Sequence, residues 1–133
     1  MSDFADYLET EIAAWAFRDV QMPTPPSTVY VALHTADPTD AGTSNELAAG
    51  GYSRQSVSNP GGWTSSGNTA ENANGIAFGP ATEDWGDITH VTVWDGSAST
   101  DNVLWVTALD TTRTVLTDDE LRFRAGDLSF EVD

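Results

Sequence analysis

The segment Thr28-Val-Tyr-Val-Ala-Leu-His34, TVYVALH, decides the fold class. Val29, Val31 and Leu33 alternate with Tyr30, Ala32 and His34. A period of two suits a half-buried β-strand and not a helix. The pattern recurs downstream. Tyr52 to Val57 reads as a second strand, closed by Asn59-Pro-Gly-Gly62. Asn68 to Ala73 and Ile76 to Phe78 are weaker candidates, and Pro80 to Gly86 reads as a turn. Ile88 to Trp94, ITHVTVW, ends on Asp95-Gly96, and Val103 to Leu109, VLWVTAL, follows it. Leu121 to Arg124 and Leu128 to Val132 flank Ala125-Gly-Asp127 and read as a closing hairpin.

Upstream, residues 3 to 18 carry the one long helical pattern. Phe4, Leu8, Ile12 and Trp15 share a face, with Tyr7 and Ala16 widening it. Ser2 or Asp3 is the expected cap, and Met22-Pro-Thr-Pro-Pro26 stops the helix. One helix followed by seven or eight short strands predicts a mainly β protein. The expected architecture is an antiparallel, jelly-roll-like β-sandwich with one N-terminal α-helix. The expected layout is a single domain over 1–133, with the helix in 1–20 and the sandwich in 28–133.

Charge is the strongest compositional signal. Twenty-one acidic residues oppose five basic ones, for a net charge of −16. All five cations are arginines (Arg18, Arg54, Arg113, Arg122 and Arg124). Such a surface repels itself at low salt. At molar salt the Debye length falls to about 3 Å and the repulsion is screened. A halophilic source is therefore expected. Nucleic-acid binding is not, because phosphate contacts need clustered Lys and Arg. No cysteine is present, so disulfides and thiolate metal sites are excluded. No apolar run approaches the roughly 20 residues needed to cross a bilayer, so a soluble protein without membrane insertion is expected.

Catalytic patterns are weak. The two histidines, His34 and His90, each lie on a strand, without the spacing of a zinc motif. Their simplest role is that of a hydrogen-bonded strand histidine. Asp37-Pro-Thr-Asp-Ala-Gly42 fails the EF-hand pattern and reads as turn chemistry. Asp37 and Asp40 are the candidates for a structural cation. G-x-S-x-G and the phosphate-binding glycine loop are both missing. Among 21 acids some carboxylate pair always exists, so that feature carries no information about glycoside hydrolysis. The tryptophans (Trp15, Trp63, Trp85, Trp94 and Trp105) suit either sugar stacking or packing and contact anchoring. No enzymatic activity and no cofactor are expected.

The block Glu46 to Val57, ELAAGGYSRQSV, concentrates two glycines, an aromatic and one of the arginines. Gly50-Gly51 is expected to turn the chain out of the long loop, since glycine accepts positive φ without steric cost. Tyr52 is expected to enter the following strand. The planar fork of Arg54 suits bidentate pairing with a carboxylate, within the chain or across a subunit boundary.

These pieces carry a resemblance as a set. VYVALHTADPTDAG, the Glu46…Gly51-Tyr52-x-Arg54 block, Trp85-Gly86…His90 and the closing LRFRAGDL are its most specific parts. The chain resembles, over nearly its whole length, small virion proteins of tailed viruses usually labelled tail-fibre or minor tail proteins. The resemblance implies a non-enzymatic structural protein of the virion that forms a symmetric homo-oligomer. Its partners would be other virion proteins of the tail or the capsid. Proteins of this type sit on the tail, or on the capsid as a vertex turret, spike base or decoration. With the acidic charge, it points to a virus of a halophilic archaeon, assembled in the host cytoplasm and exposed to a high-salt exterior. The alternative is a carbohydrate-binding or host-receptor-binding module, with a host surface glycan or protein as partner. The residues expected at interfaces or in structural contacts are Phe4, Leu8, Ile12, Trp15, Arg54, Trp85, Trp94 and Trp105.

The charge argument has a direct test. Melting followed by circular dichroism should shift upward between dilute buffer and molar salt. Equal melting at both would contradict a fold adapted to salt.

Overall fold

The computed structural model describes residues 4–132. The elements run in the order α1 (Asp6–Arg18), β1 (Thr28–His34), β2 (Gln55–Ser58), β3 (Trp63–Ser66), β4 (Thr69–Asn72), β5 (Ile76–Phe78), β6 (Gly86–Trp94), β7 (Val103–Val115), β8 (Leu121–Phe123) and β9 (Ser129–Glu131). The protein is mainly β, with antiparallel pairing throughout and one N-terminal helix, as the alternation around TVYVALH predicts.

One layer is a four-stranded sheet in the order β2-β1-β6-β7. The other is built from a three-stranded piece, β3-β4-β9, and a two-stranded piece, β5-β8. Side chains from all three pieces meet in one apolar core that includes Val31, Leu33, Phe78, Ile88, Val91, Phe123 and Phe130. The same alternation that makes β1 a strand sends Val29, Val31 and Leu33 into this core.

The expected closing hairpin does not form. β8 pairs with β5, and β9 pairs with β4, so the two are successive parts of one strand. Glu71 faces Ser129 while Ile76 faces Phe123, five residues along one side against six along the other. The ribbon is therefore interrupted by a one-residue slip, and buried Asn72 fills the interruption. Its Nδ2 donates to the carbonyls of Asn74 and Arg124, both at 2.8 Å, and its Oδ1 accepts the Leu128 amide at 2.9 Å. One side chain thus satisfies three backbone groups that a continuous ladder would have paired. Ala125-Gly-Asp127 is the kink of that strand and not a hairpin turn.

Other boundaries move for similar reasons. Trp63–Ser66 is a strand that polar Thr64, Ser65 and Ser66 disguise, because they lie on an exposed edge. β7 runs six residues past Leu109, through the polar stretch DTTRT. Thr89 alone separates Ile88 from His90 on β6, while four residues separate Ala108 from Arg113 on β7, so Leu109 to Thr112 bulge from the ladder.

The second face of the four-stranded sheet is also covered. Residues 31–34 are buried on both sides of the strand. Ala32, Trp94 and Val103 form a small outer cluster with Ala5. The loop from Thr35 to Gly51 and the chain before α1 close over it. The Ala5 amide donates to the Leu104 carbonyl and the Asp6 amide to the Asp40 carbonyl, both at 2.9 Å. A Cβ on Gly42, at φ +76°, would run into the Val103 side chain, so the loop lies tight on the sheet.

Burial of this face forces its polar groups to pair. His34 is fully buried. Its Nδ1 lies 2.8 Å from the Ser44 carbonyl, which can only accept, so Nδ1 carries a proton. Its Nε2 lies 2.8 Å from Thr92 Oγ1, which in turn accepts the Trp94 Nε1–H at 2.7 Å. The chain of donors is complete only with a neutral imidazole. As expected for a strand histidine, both nitrogens have partners. Burial lowers the His34 pKa below its ordinary 6.5, outweighing the hydrogen bond to Ser44 and the nearby Glu46, which raise it.

A histidine with a lowered folded pKa binds its proton more readily when unfolded. Its stability contribution is full above about pH 6.5 and is lost as pH falls toward the folded pKa. Melting in molar salt should therefore drop from about pH 7.5 to about pH 5.5. His34→Gln, destabilised overall, should show a flatter profile over that window. Parallel profiles for parent and variant would show that His34 is not the titrating group.

Candidate functional site

The site begins where β1 outruns its neighbour. β2 pairs with β1 only as far as Val31, opposite Gln55. Beyond it, the Leu33 carbonyl takes the Leu47 amide at 2.9 Å, and the Leu33 amide donates to the Tyr52 hydroxyl at 3.2 Å. Tyr52 lies ahead of β2 and not within it, which corrects the expected strand start. Its aromatic ring packs near Phe78 and Trp85, with centroids 6.3 and 6.0 Å away.

The glycine pair sets this geometry. Gly51 has φ +87°, and a Cβ there would collide with the Pro80 carbonyl. The Gly50 carbonyl accepts from Trp85 Nε1 at 2.9 Å and from the Thr82 amide at 3.1 Å. The block is a hinge out of the loop, with no room for a ligand at the glycines.

Arg54 stands at the far side of that hinge. Nε and Nη2 donate to the two oxygens of Glu46 at 2.9 and 2.8 Å, a bidentate fork. Nη1 donates to the carbonyls of Gly96 and Ala98 at 3.2 and 3.1 Å. The guanidinium carbon lies 3.6 Å from the Trp94 ring centroid. Glu46 also accepts the Tyr52 hydroxyl proton at 2.6 Å. One arginine thus ties the Thr35–Gly51 loop, the β6–β7 turn and the outer face of the sheet. The partner is Glu46 of the same chain, and the arginine side chain is 6% exposed. Burial pushes the Glu46 pKa up, but the hydrogen bonds from Arg54 and Tyr52 outweigh it and hold the carboxyl below its usual range. Burial and the bond to Glu46 push the Tyr52 phenol well above its ordinary value. Glu46 had no part in the expected site, although its place eight residues before Arg54 was a signal for it.

The remaining expected residues do not gather at one point. Phe4 leaves the helical stripe: α1 starts at Asp6, with Ala5 in extended geometry as its cap residue. Phe4 instead bridges to Trp105, with ring centroids 4.4 Å apart. The expected caps Ser2 and Asp3 lie outside the described residues. Leu8 and Ile12 are half-buried, and α1 packs on β7. Trp15 and Phe17 are 58% and 88% exposed. Trp85 and Trp94 are buried, while Trp63 and Trp105 are half-buried against Phe130. The Asp37 carboxylate accepts the Thr39 amide at 2.9 Å, an Asx turn, and Asp40 is exposed. Among the described residues, no group of three or more metal-ligating side chains comes together. No helix among the described residues is long and apolar enough to cross a membrane.

Removing Arg54 leaves the half-buried Glu46 carboxylate and the two turn carbonyls without their donor. Arg54→Ala should cost about 2 kcal/mol in denaturant unfolding. Arg54→Lys should recover only part, because it keeps the charge and loses the fork and the flat stack. A cost near zero for Arg54→Ala would show that the fork does not hold the loop.

No curated protein matches the chain. A family model described as podophage GP4 fiber I protein gp80 matches residues 3–131, from ahead of the helix to the end of β9. The match takes in the Glu46–Arg54 hinge, both layers of the sandwich and the exposed helix end. The chain belongs to the family of the podophage GP4 fiber I protein gp80.

Proposed function

We propose that this chain is a non-enzymatic structural subunit of a tailed-virus fibre that works as a symmetric homo-oligomer. The fibre description of its family supports the virion assignment and favours a fibre position over a capsid turret or decoration. The acidic composition supports a haloarchaeal host and a high-salt exterior, with assembly in the host cytoplasm. The chain acts as one domain over 1–133, and its work is done by surfaces that bind other copies and neighbouring virion proteins.

The observation that carries the oligomer is the exposed end of α1. No residue of the helix is buried, and Trp15, Phe17 and Val20 open to solvent beside the link Gln21–Pro25. Residues 20–36 contain no charged side chain, and residues 12–19 contain only Arg18 and Asp19. In a chain of net charge −16, the exposed helix end and the link after it form a stretch that an equally acidic copy can approach at low electrostatic cost. Exposed aromatics are the residue type that anchors protein contacts. Host glycan binding has less support, because four of the five tryptophans are buried or half-buried and Trp15 alone is exposed.

Sedimentation velocity in molar salt tests the reading. The parent should sediment as a discrete oligomer, and Trp15→Ser/Phe17→Ser as a smaller species with an unchanged circular dichroism spectrum. A parent that stays monomeric at all concentrations would overturn the homo-oligomer. A double variant that assembles like the parent would move the contact elsewhere.

A further inference from the structure

Three of the five arginines meet on one side of the molecule, far in sequence from the Arg54 fork. Arg113 of β7, Arg122 of β8 and Arg124 line an open cleft of about 730 Å³ whose floor includes Ile76 and Phe123. Their guanidiniums are poorly used. Arg113 donates to the Arg122 carbonyl at 3.3 Å and sits 5.4 Å from the Phe123 ring centroid. Arg122 reaches Glu120 at a loose 3.3 Å, and both side chains are exposed. The Arg124 guanidinium has no hydrogen-bond or ion-pair partner among the described residues. The acids at the margin are Asp110, Glu120 and Asp127. Asp127 is engaged by the Arg124 backbone amide at 2.8 Å. Among the described residues, only Glu120 comes within ion-pair distance of any of the three.

This arrangement is unexpected for its charge. A chain with 21 acids has an ample supply of carboxylates to neutralise three arginines, yet two of them have none among the described residues. At molar salt, attraction survives only at contact, so a fork without a partner contributes nothing to the isolated chain. The cleft continues along the Thr107–Thr111 side of β7, into the bulge. β7 is the end strand of its sheet, and an end strand offers backbone groups to an incoming chain. An elongated cleft with unpaired forks and a strand edge fits an acidic polypeptide better than a small anion.

We propose that the Arg113–Arg122–Arg124 cleft docks an acidic segment of a second copy of this chain. The inference rests on the homo-oligomer proposed above and adds a second, polar contact to it. The contact is heterologous: a basic patch of one copy meets a different, acidic patch of the next, and repetition forms a ring where the rotation between copies closes. The supply of acid on every copy makes the pairing self-complementary without any other component. Bidentate Arg–carboxylate pairs give it geometric selectivity where general charge attraction is screened.

The test is Arg122→Glu/Arg124→Glu, two substitutions at exposed positions, followed by sedimentation in molar salt. The oligomer's dissociation concentration should rise roughly 10-fold or more, with melting of the subunit unchanged. Arg122→Lys/Arg124→Lys, which keeps the charge but not the forks, should fall between parent and charge reversal. An oligomer distribution identical to the parent's would overturn the cleft while leaving the assembly reading intact. A parent that is itself monomeric would overturn both. A charge-reversed variant that still forms the parent oligomer but is excluded from particles would overturn the second copy as occupant and assign the cleft to another virion protein.

Discussion

The rest of the structure depends on how the outer face of the four-stranded sheet is closed. A sheet in a small sandwich needs cover on one face only, yet here β1 is buried on both from Val31 to His34. The cover is a long loop with little apolar content, and a loop of that kind does not stay down by burial alone. Arg54 holds it. Its fork takes both oxygens of Glu46, its remaining nitrogen takes the β6–β7 turn, and its plane lies on Trp94. A buried ion pair contributes to stability only when its remaining hydrogen bonds are satisfied. Tyr52 completes the set on the carboxylate side and passes the connection to the Leu33 amide. The hidden histidine follows from the same closure, since Ser44, Thr92 and Trp94 leave His34 no access to water.

The use of arginine divides the molecule into two regimes. Arg54 is buried and fully paired, and acts inside one subunit. Arg113, Arg122 and Arg124 are gathered at the opposite extreme, open and underused. The apolar end of α1 shows the same incompleteness in another currency, with Trp15 and Phe17 outside any core. Membership of a fibre family gives these surfaces a context. A subunit of a particle presents to solvent what its neighbours will cover. In the proposed assembly, an acidic shell would make wrong contacts costly and leave the right ones to patches where acid is missing or arginine is in excess.

Several elements could be read directly from residues. The alternation of β1 and β6 locates those strands because each has a clear inner face of Val, Leu or Ile, while the three residues of β5 show it only weakly. Gly51 is legible because a glycine pair between a loop and a strand has few other uses. β3 was not, because an exposed edge strand has no apolar alternation to display. The final hairpin failed for a different reason. A Gly-Asp pair between two short strands looks the same whether the chain reverses or merely kinks. What decides between them is Asn72, more than fifty residues before Arg124, whose amide supplies the interrupted ladder.

By itself, the sequence determined the class: one helix, then short antiparallel strands, on a strongly acidic chain. It also marked Arg54 as a residue in search of a carboxylate, because the fixed fork of a guanidinium suits one and the chain is rich in acids. Tertiary structure alone decided which carboxylate, which strands pair, and where the arginines collect. Those are relations between residues distant in the chain, set by which faces the sheets bury, and no local period encodes them. The same holds for Phe4. Its spacing from Leu8 is helical, but backbone pairing with Trp105 and ring contact across β7 overrode that spacing.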